Sequence, residues 1–170
     1  MTLERMPVGV VVERRRLANP WQAQDWRVLA VLPGRPQVEP WTVVAEGEGW
    51  VRYFTGVVEL ELFAGETAAY KDNLESRQPS VYIVLRRGGG EPGVRLVEAT
   101  VDPGEVDAHA DSGDDLIEAV AMPAAVAGWM RDFVARHHVE RAFYKRQRDR
   151  ADPEALARGR RHPVGEDDDG

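Results

Sequence analysis

Val8-Gly9-Val10-Val11-Val12-Glu13-Arg14-Arg15-Arg16, followed by Asn19-Pro20-Trp21 and then Trp26-Arg27-Val28-Leu29-Ala30-Val31-Leu32-Pro33-Gly34, decides the fold class of this chain. Two apolar segments of strand length flank a polar, proline-containing turn, and that pattern predicts a β-hairpin. Outward from it, Val57-Val58-Glu59-Leu60-Glu61-Leu62 alternates strictly, which puts Val58, Leu60 and Leu62 on one face and the glutamates on the other. Trp50-Val51-Arg52-Tyr53-Phe54 precedes that run across Thr55-Gly56, so the two segments are expected to pair as a second hairpin. Val81 to Leu85 is apolar throughout and reads as a central strand. Gly88-Gly89-Gly90-Glu91-Pro92-Gly93 is a turn, and Val94 to Val97 is the strand that returns from it. Short strands with no regular helix between them argue for antiparallel pairing.

One helix is well marked. It begins at Pro123, where a missing N–H costs nothing, and Val126, Trp129, Met130, Phe133, Val134 and His137 form a single apolar stripe along it. A weaker pattern over Glu66 to Arg77 places Tyr70 and Leu74 on one side of a shorter helix. The fold class expected is α+β: a curled antiparallel sheet or partly open barrel of about six or seven strands, in outline like a pleckstrin-homology barrel, packed by the C-terminal amphipathic helix.

A length of 170 residues suits one domain better than two, since halves of about 85 residues would each have a small core. The expected division is a single domain over residues 1–140 and a charged, largely disordered tail over 141–170. The overall charge of −7 is arranged in blocks. Residues 1–140 carry 14 basic and 22 acidic side chains, 141–161 carry 8 basic and 3 acidic, and 162–170 carry 4 acidic and none basic. There is no cysteine, which excludes disulfides, thiolate metal ligands, iron–sulfur ligation by this chain and cysteine nucleophiles. Residues 1–9 lack an apolar signal core, and Ala119 to Met130 is too short to span a bilayer, so a cytoplasmic location is expected.

Each pattern that suggests chemistry has a simpler explanation. Gly88, Gly90 and Gly93 match G-x-G-x-x-G, but a phosphate loop needs a helix N-terminus after it, and here a strand leaves. Asp107, His109, Asp111, Asp115 and Glu118 fall at ligand positions 1, 3, 5, 9 and 12 of a calcium loop, yet Gly113 is one place late. Glu98 to Glu118 holds eight acidic residues and no basic one, as a solvated loop or a docking surface for a basic partner would. Ser76, Ser80 and Ser112 lie in no nucleophile elbow. His137 and His138 are adjacent rather than four apart, so one is expected to pack and the other to meet solvent or the helix end. Trp21, Trp26, Trp41, Trp50 and Trp129 are expected in the core, and the acidic body argues against nucleic acid. No catalytic residue, metal site or cofactor is assigned. The candidate contact residues lie in the tail, where Phe143 and Tyr144 supply amphipathic anchors and Lys145, Arg146, Arg148 and Arg150 supply steering toward an acidic protein surface.

Four sets of residues carry a family resemblance. They are Met6 to Arg15; Trp26-Arg27 with Val31-Leu32-Pro33-Gly34; Leu74-Glu75-Ser76 with Pro79-Ser80-Val81-Tyr82; and His137-His138-Val139-Glu140 with Phe143-Tyr144-Lys145-Arg146. In these the chain resembles a proteobacterial family, domain of unknown function 3305, over about residues 6–150. Genes of that family typically stand beside those of molybdenum-dependent formate dehydrogenases and their maturation factors. The resemblance therefore implies an accessory protein that supports assembly or maturation of such an enzyme, with a maturation factor or oxidoreductase subunit as partner, while the lack of a spanning segment leads us to expect no membrane contact. The alternative is a small-molecule-binding protein or enzyme whose pocket lies between the sheet and the C-terminal helix, lined by tryptophans and reached by Arg52 or Arg27.

Overall fold

The structure is a computed structural model, and it describes residues 3–18, 24–110 and 113–138. Within these the strands are β1 (Leu3–Arg16), β2 (Gln24–Pro33), β3 (Thr42–Gly47), β4 (Trp50–Phe63), β5 (Ser80–Arg87), β6 (Val94–Thr100) and β7 (Asp115–Ala121). The helices are α1 (Thr67–Glu75), α2 (Pro103–Ala110) and α3 (residues 124–138), with a 3-10 turn at Ala64–Glu66 before α1. The fold is α+β, as the sequence predicts.

The strands form two antiparallel sheets rather than one curled sheet. Sheet A runs β2-β1-β4-β3 and sheet B runs β6-β5-β7. No hydrogen-bond ladder joins them into a closed barrel among the described residues. Where β2 meets β7, a side chain makes the connection instead: the Val28 N–H donates to Glu118 Oε1 at 3.0 Å.

The opening hairpin forms as predicted, with Arg14 opposite Trp26 and Val10 opposite Val31. The second predicted hairpin does not form. Trp50 to Phe63 is a single strand, and Thr55 is an extra residue in it, since Val10 faces Gly56 while Val11 faces Phe54. The Thr55 hydroxyl donates to Val10 O at 3.0 Å, and Gly56 takes φ +131°, so the bend is absorbed as a bulge without ending the strand. The true hairpin partner of the first half of β4 is β3, joined to it through Glu48-Gly49, with Gly49 at φ +81°.

β5 is the central strand of its sheet, as expected, with Val81, Ile83, Val84 and Leu85 fully buried. The core lies between the sheets and against α3. It combines Val8, Val10, Val12, Leu60 and Leu62 of sheet A, Ile83 and Leu85 of sheet B, Tyr70 of α1, and Val126, Met130 and Phe133 of α3. The stripe read from the sequence is thus the buried face of α3. At the start of that helix the Ala127 N–H donates to Pro123 O. Glu4 fastens α3 to β1, accepting from Trp129 Nε1 at 3.0 Å and from Arg136 Nη2 at 2.8 Å.

The outer face of sheet A packs too. Gly9 lies between the core residues Val8 and Val10 and so faces outward. A Cβ there would stand 2.5 Å from the Phe54 ring and 3.3 Å from Pro36, so only glycine admits the covering 34–41 loop so closely.

Candidate functional site

Two clusters of chemistry-bearing side chains stand out, one between α2 and sheet B and the other where the β5–β6 turn of sheet B meets sheet A. The first is built on α2. Asp102, Pro103 and Glu105 start this helix: Asp102 Oδ1 accepts the Gly104 N–H at 2.9 Å, and Pro103 occupies the first helical position. The run from Glu98 to Glu118 is therefore not an open acidic loop but the end of β6, a helix and β7.

His109, near the end of α2, sits between two carboxylates. Its Nδ1 is 2.9 Å from Asp115 Oδ2 and its Nε2 2.8 Å from Glu98 Oε2. A carboxylate at each ring nitrogen favours the doubly protonated imidazolium, so its pKa is raised, first by the Asp115 bond and then by Glu98. Arg86 Nε and Nη2 donate to the two oxygens of Asp115 at 2.8 and 3.1 Å, and that guanidinium holds the Asp115 carboxyl down at about 2. Glu105, one turn earlier on α2, is pushed up to about 7 by burial and then by its hydrogen bond with Glu98. The result is a chain of charge from Arg86 through Asp115, His109 and Glu98 to Glu105. A general base needs a free lone pair on its ring, and both nitrogens of His109 are engaged, so the cluster clasps α2 to the sheet.

Of the calcium-loop positions, His109 and Asp115 meet, but as an ion pair, and Glu118 is turned away from them. Asp115 and Glu118 are three residues apart on one strand, hence on opposite faces, and they answer Arg86 with His109 and the Val28 N–H respectively. Asp111 lies outside the described residues.

The second cluster adjoins the first at the β5–β6 turn, just beyond Arg86. The β5–β6 turn holds Gly88, Gly89, Gly90 and Gly93, all with positive φ, and a strand leaves it as predicted. Beside it Trp26, Trp41 and Tyr53 meet, with ring centroids 5.5 to 6.2 Å apart. The Arg14 guanidinium lies 5.8 Å from the Trp26 ring and 5.4 Å from the Tyr53 ring. The tryptophans read as core thus divide: Trp26 is buried, Trp41 half-buried, and Trp129 belongs to α3, where its indole N–H bonds Glu4.

The alternative pocket under α3 does not bring its residues together. Arg27 pairs with Asp25, and Arg52 pairs with the buried Glu13 and stacks 4.6 Å from Trp50. Glu13 accepts from Arg52 and Arg15, and the Arg52 bond holds its carboxyl below the usual range. The histidines at the end of α3 both find partners. The His137 ring lies 4.4 Å from Phe133, and His138 Nδ1 is 3.2 Å from the Thr67 hydroxyl. Phe143, Tyr144, Lys145, Arg146, Arg148 and Arg150 lie outside the described residues, as does Trp21.

The sequence reading missed His109 as the hub of a clasp, although Asp102-Pro103-Gly104-Glu105 carries a helix-start signature. It also missed Arg86, Arg87 and Arg95 at the glycine turn, which become neighbours only when β5 and β6 pair.

These features define a two-sheet α+β protein clasped by partly buried ion pairs, with an arginine-rich turn at one end. The family described as protein of unknown function (DUF3305) matches residues 7–148, and the chain belongs to that family. Neither the curated proteins nor the solved structures contain a match to it. No helix among the described residues is long and apolar enough to cross a membrane.

Proposed function

We propose that this protein is a cytoplasmic, non-catalytic binding factor that supports assembly or maturation of a molybdenum-dependent formate dehydrogenase. One observation carries the binding reading. Among the described residues the exposed large apolar side chains, Leu3, Leu29, Leu32, Val38, Val43 and Val44, all belong to sheet A or to the 34–41 loop that crosses it. Leu29 and Leu32 lie on one edge strand, β2, and Val43 and Val44 on the other, β3, and adjacent exposed apolar side chains on a free sheet edge mark a contact surface. The most exposed pair, Val43 at 45% and Val44 at 50%, is on β3, an edge strand of that sheet. An extended segment of the partner adds beside β3, its main chain supplying the hydrogen bonds and its apolar side chains covering the valines. The client enzyme is taken from the family resemblance. The tail residues Phe143 to Arg150 serve as a second contact, since their charge suits an acidic partner.

Affinity purification from cells that express such a dehydrogenase tests this reading, using the full chain, the double variant Val43→Glu/Val44→Glu, and a chain ending at Glu140. The full chain is expected to recover the enzyme or its maturation proteins, and both altered chains to recover less while keeping their circular dichroism. Recovery of neither by the folded full chain removes the proposed client. Equal recovery by the double variant removes β3 as the docking edge.

A further inference from the structure

The glycine turn of sheet B has features that docking at β3 does not use. Pairing of β5 with β6 places Arg86 directly opposite Arg95, with Arg87 next in line. Two like charges in one cross-strand pair repel each other. Asp115 answers Arg86, whereas Arg87 and Arg95 form no ion pair among the described residues. On a chain of net charge −7, that leaves two uncompensated cations at one turn, Arg95 on the face of Arg86 and Arg87 on the other.

They border an open groove of about 540 Å³, within the size range of small-molecule sites, and Trp41 forms another of its walls. Trp41 has φ +66°, the one positive value among the described non-glycine residues. A bulky side chain in that region is strained, and strain of this kind persists where the surroundings impose it, often at binding sites. Here the surroundings are the edge-on contacts of the indole with Trp26 and Tyr53 and the bond its main-chain N–H donates to Phe54 O. The remaining wall is the turn. Gly88 is tied to Gly93 O, but Gly89 and Gly90 donate no hydrogen bond among the described residues. A Cβ on either would meet nothing within 4 Å, so the turn has open space beside it, and its undonated amides are available to a ligand.

We propose that the groove between the β5–β6 turn and Trp41 binds a small phosphate-bearing ligand with a planar ring, of the nucleotide class. The phosphates bind Arg87, Arg95 and the glycine amides, and the ring lies against Trp41. The groove also holds one carboxylate, Glu91, which is exposed and 3.6 Å from Arg14. An arriving anion meets repulsion from Glu91, so Glu91→Gln tightens binding.

Calorimetry and tryptophan fluorescence on the full chain test this, with ATP, inorganic triphosphate and adenosine as separate probes. ATP is expected to bind saturably and more tightly than either fragment, and Glu91→Gln to bind it more tightly still. Arg87→Gln/Arg95→Gln, both exposed and so compatible with the fold, is expected to weaken ATP roughly tenfold or more. Absence of saturable ATP binding at millimolar concentration overturns the site. So does equal affinity in the double variant. Triphosphate binding as tight as ATP overturns the ring seat. Binding of a poly-glutamate peptide without ATP binding overturns the ligand class and assigns the groove to an acidic protein segment.

Discussion

Asn73 shows how much one polar side chain can hold. It is buried on α1, and its amide N donates to Ser80 O at 2.9 Å and Val101 O at 2.8 Å while its oxygen accepts the Ser80 N–H at 2.9 Å. One side chain thereby fixes the helix to the start of β5 and to the residue after β6. Asn73→Ala would leave one donor and two acceptors buried without partners, at a cost of about 3 kcal/mol. Asn73→Asp keeps the acceptor and loses both donors, so it should destabilise as well. Urea unfolding checks this, and midpoints unchanged from the parent would refute the assignment. The sequence shows the helix and its Tyr70–Leu74 face, because those depend on spacing along the chain. It does not show Asn73 as a keystone, since Val101 is 28 residues away and no local pattern announces it. Tyr70 is similar: it is visible as apolar, but its hydroxyl accepts the Phe63 N–H at 2.9 Å, and burial pushes its pKa up to about 12.

Among the elements, α2 should respond most to pH. A His109 pKa raised above its free value of 6.5 gives stability that is complete below 6.5 and lost as the pH climbs through the raised value. Glu105, raised from 4.5 to about 7, behaves in the same direction: its neutral form suits the site, and its contribution is lost as the pH rises through about 7. Asp115, lowered from 3.8 to about 2, contributes above 3.8 and loses that contribution as the pH falls toward 2. The helix is therefore held best in mildly acid solution, where His109 and Glu105 keep their protons and Asp115 has lost its own. Hydrogen exchange, corrected for the intrinsic rate, should show α2 amides losing protection as the pH rises through about 7 while β5 amides do not. His109→Gln should abolish much of that difference, and a flat profile in the parent would contradict the clasp. The sequence hid this helix because its acidic composition outweighed its start signal. β3 was hidden for another reason: its burial does not alternate, since nearly every residue on it is exposed. The opening hairpin, β5 and α3 were legible because each carries its own periodicity, whereas Thr55-Gly56 resembles a turn and is distinguishable from a bulge only once β1 lies opposite.

The whole molecule depends on pairings that no local pattern contains. β1 pairs with β4 across most of its length, which puts Leu3 opposite Phe63 and makes the opening hairpin one half of sheet A. A barrel was a fair expectation from seven strands, but closure requires main-chain bonds between β2 and β7, and a glutamate side chain takes that place. The two sheets are held instead by one apolar cluster to which both sheets, α1 and α3 contribute. A single shared core makes independent unfolding of either sheet costly, because each would expose the other's buried face. Unfolding should accordingly be two-state: in a Trp129→Phe background, which removes the indole on α3 and leaves Trp26, Trp41 and Trp50 beside sheet A among the described tryptophans, fluorescence should follow the same curve as far-ultraviolet circular dichroism. Phe133→Ala is the sharper test. Phe133 is fully buried on α3, meets Tyr70 edge-on at 6.2 Å and carries the His137 ring. Its truncation should cost about 3–5 kcal/mol and move both curves by the same amount, although the tryptophan cluster is at the far end of β1 from Glu4, where α3 is fastened. A shift in the circular dichroism curve alone would mean that the sheets unfold separately and that the shared core does not couple them.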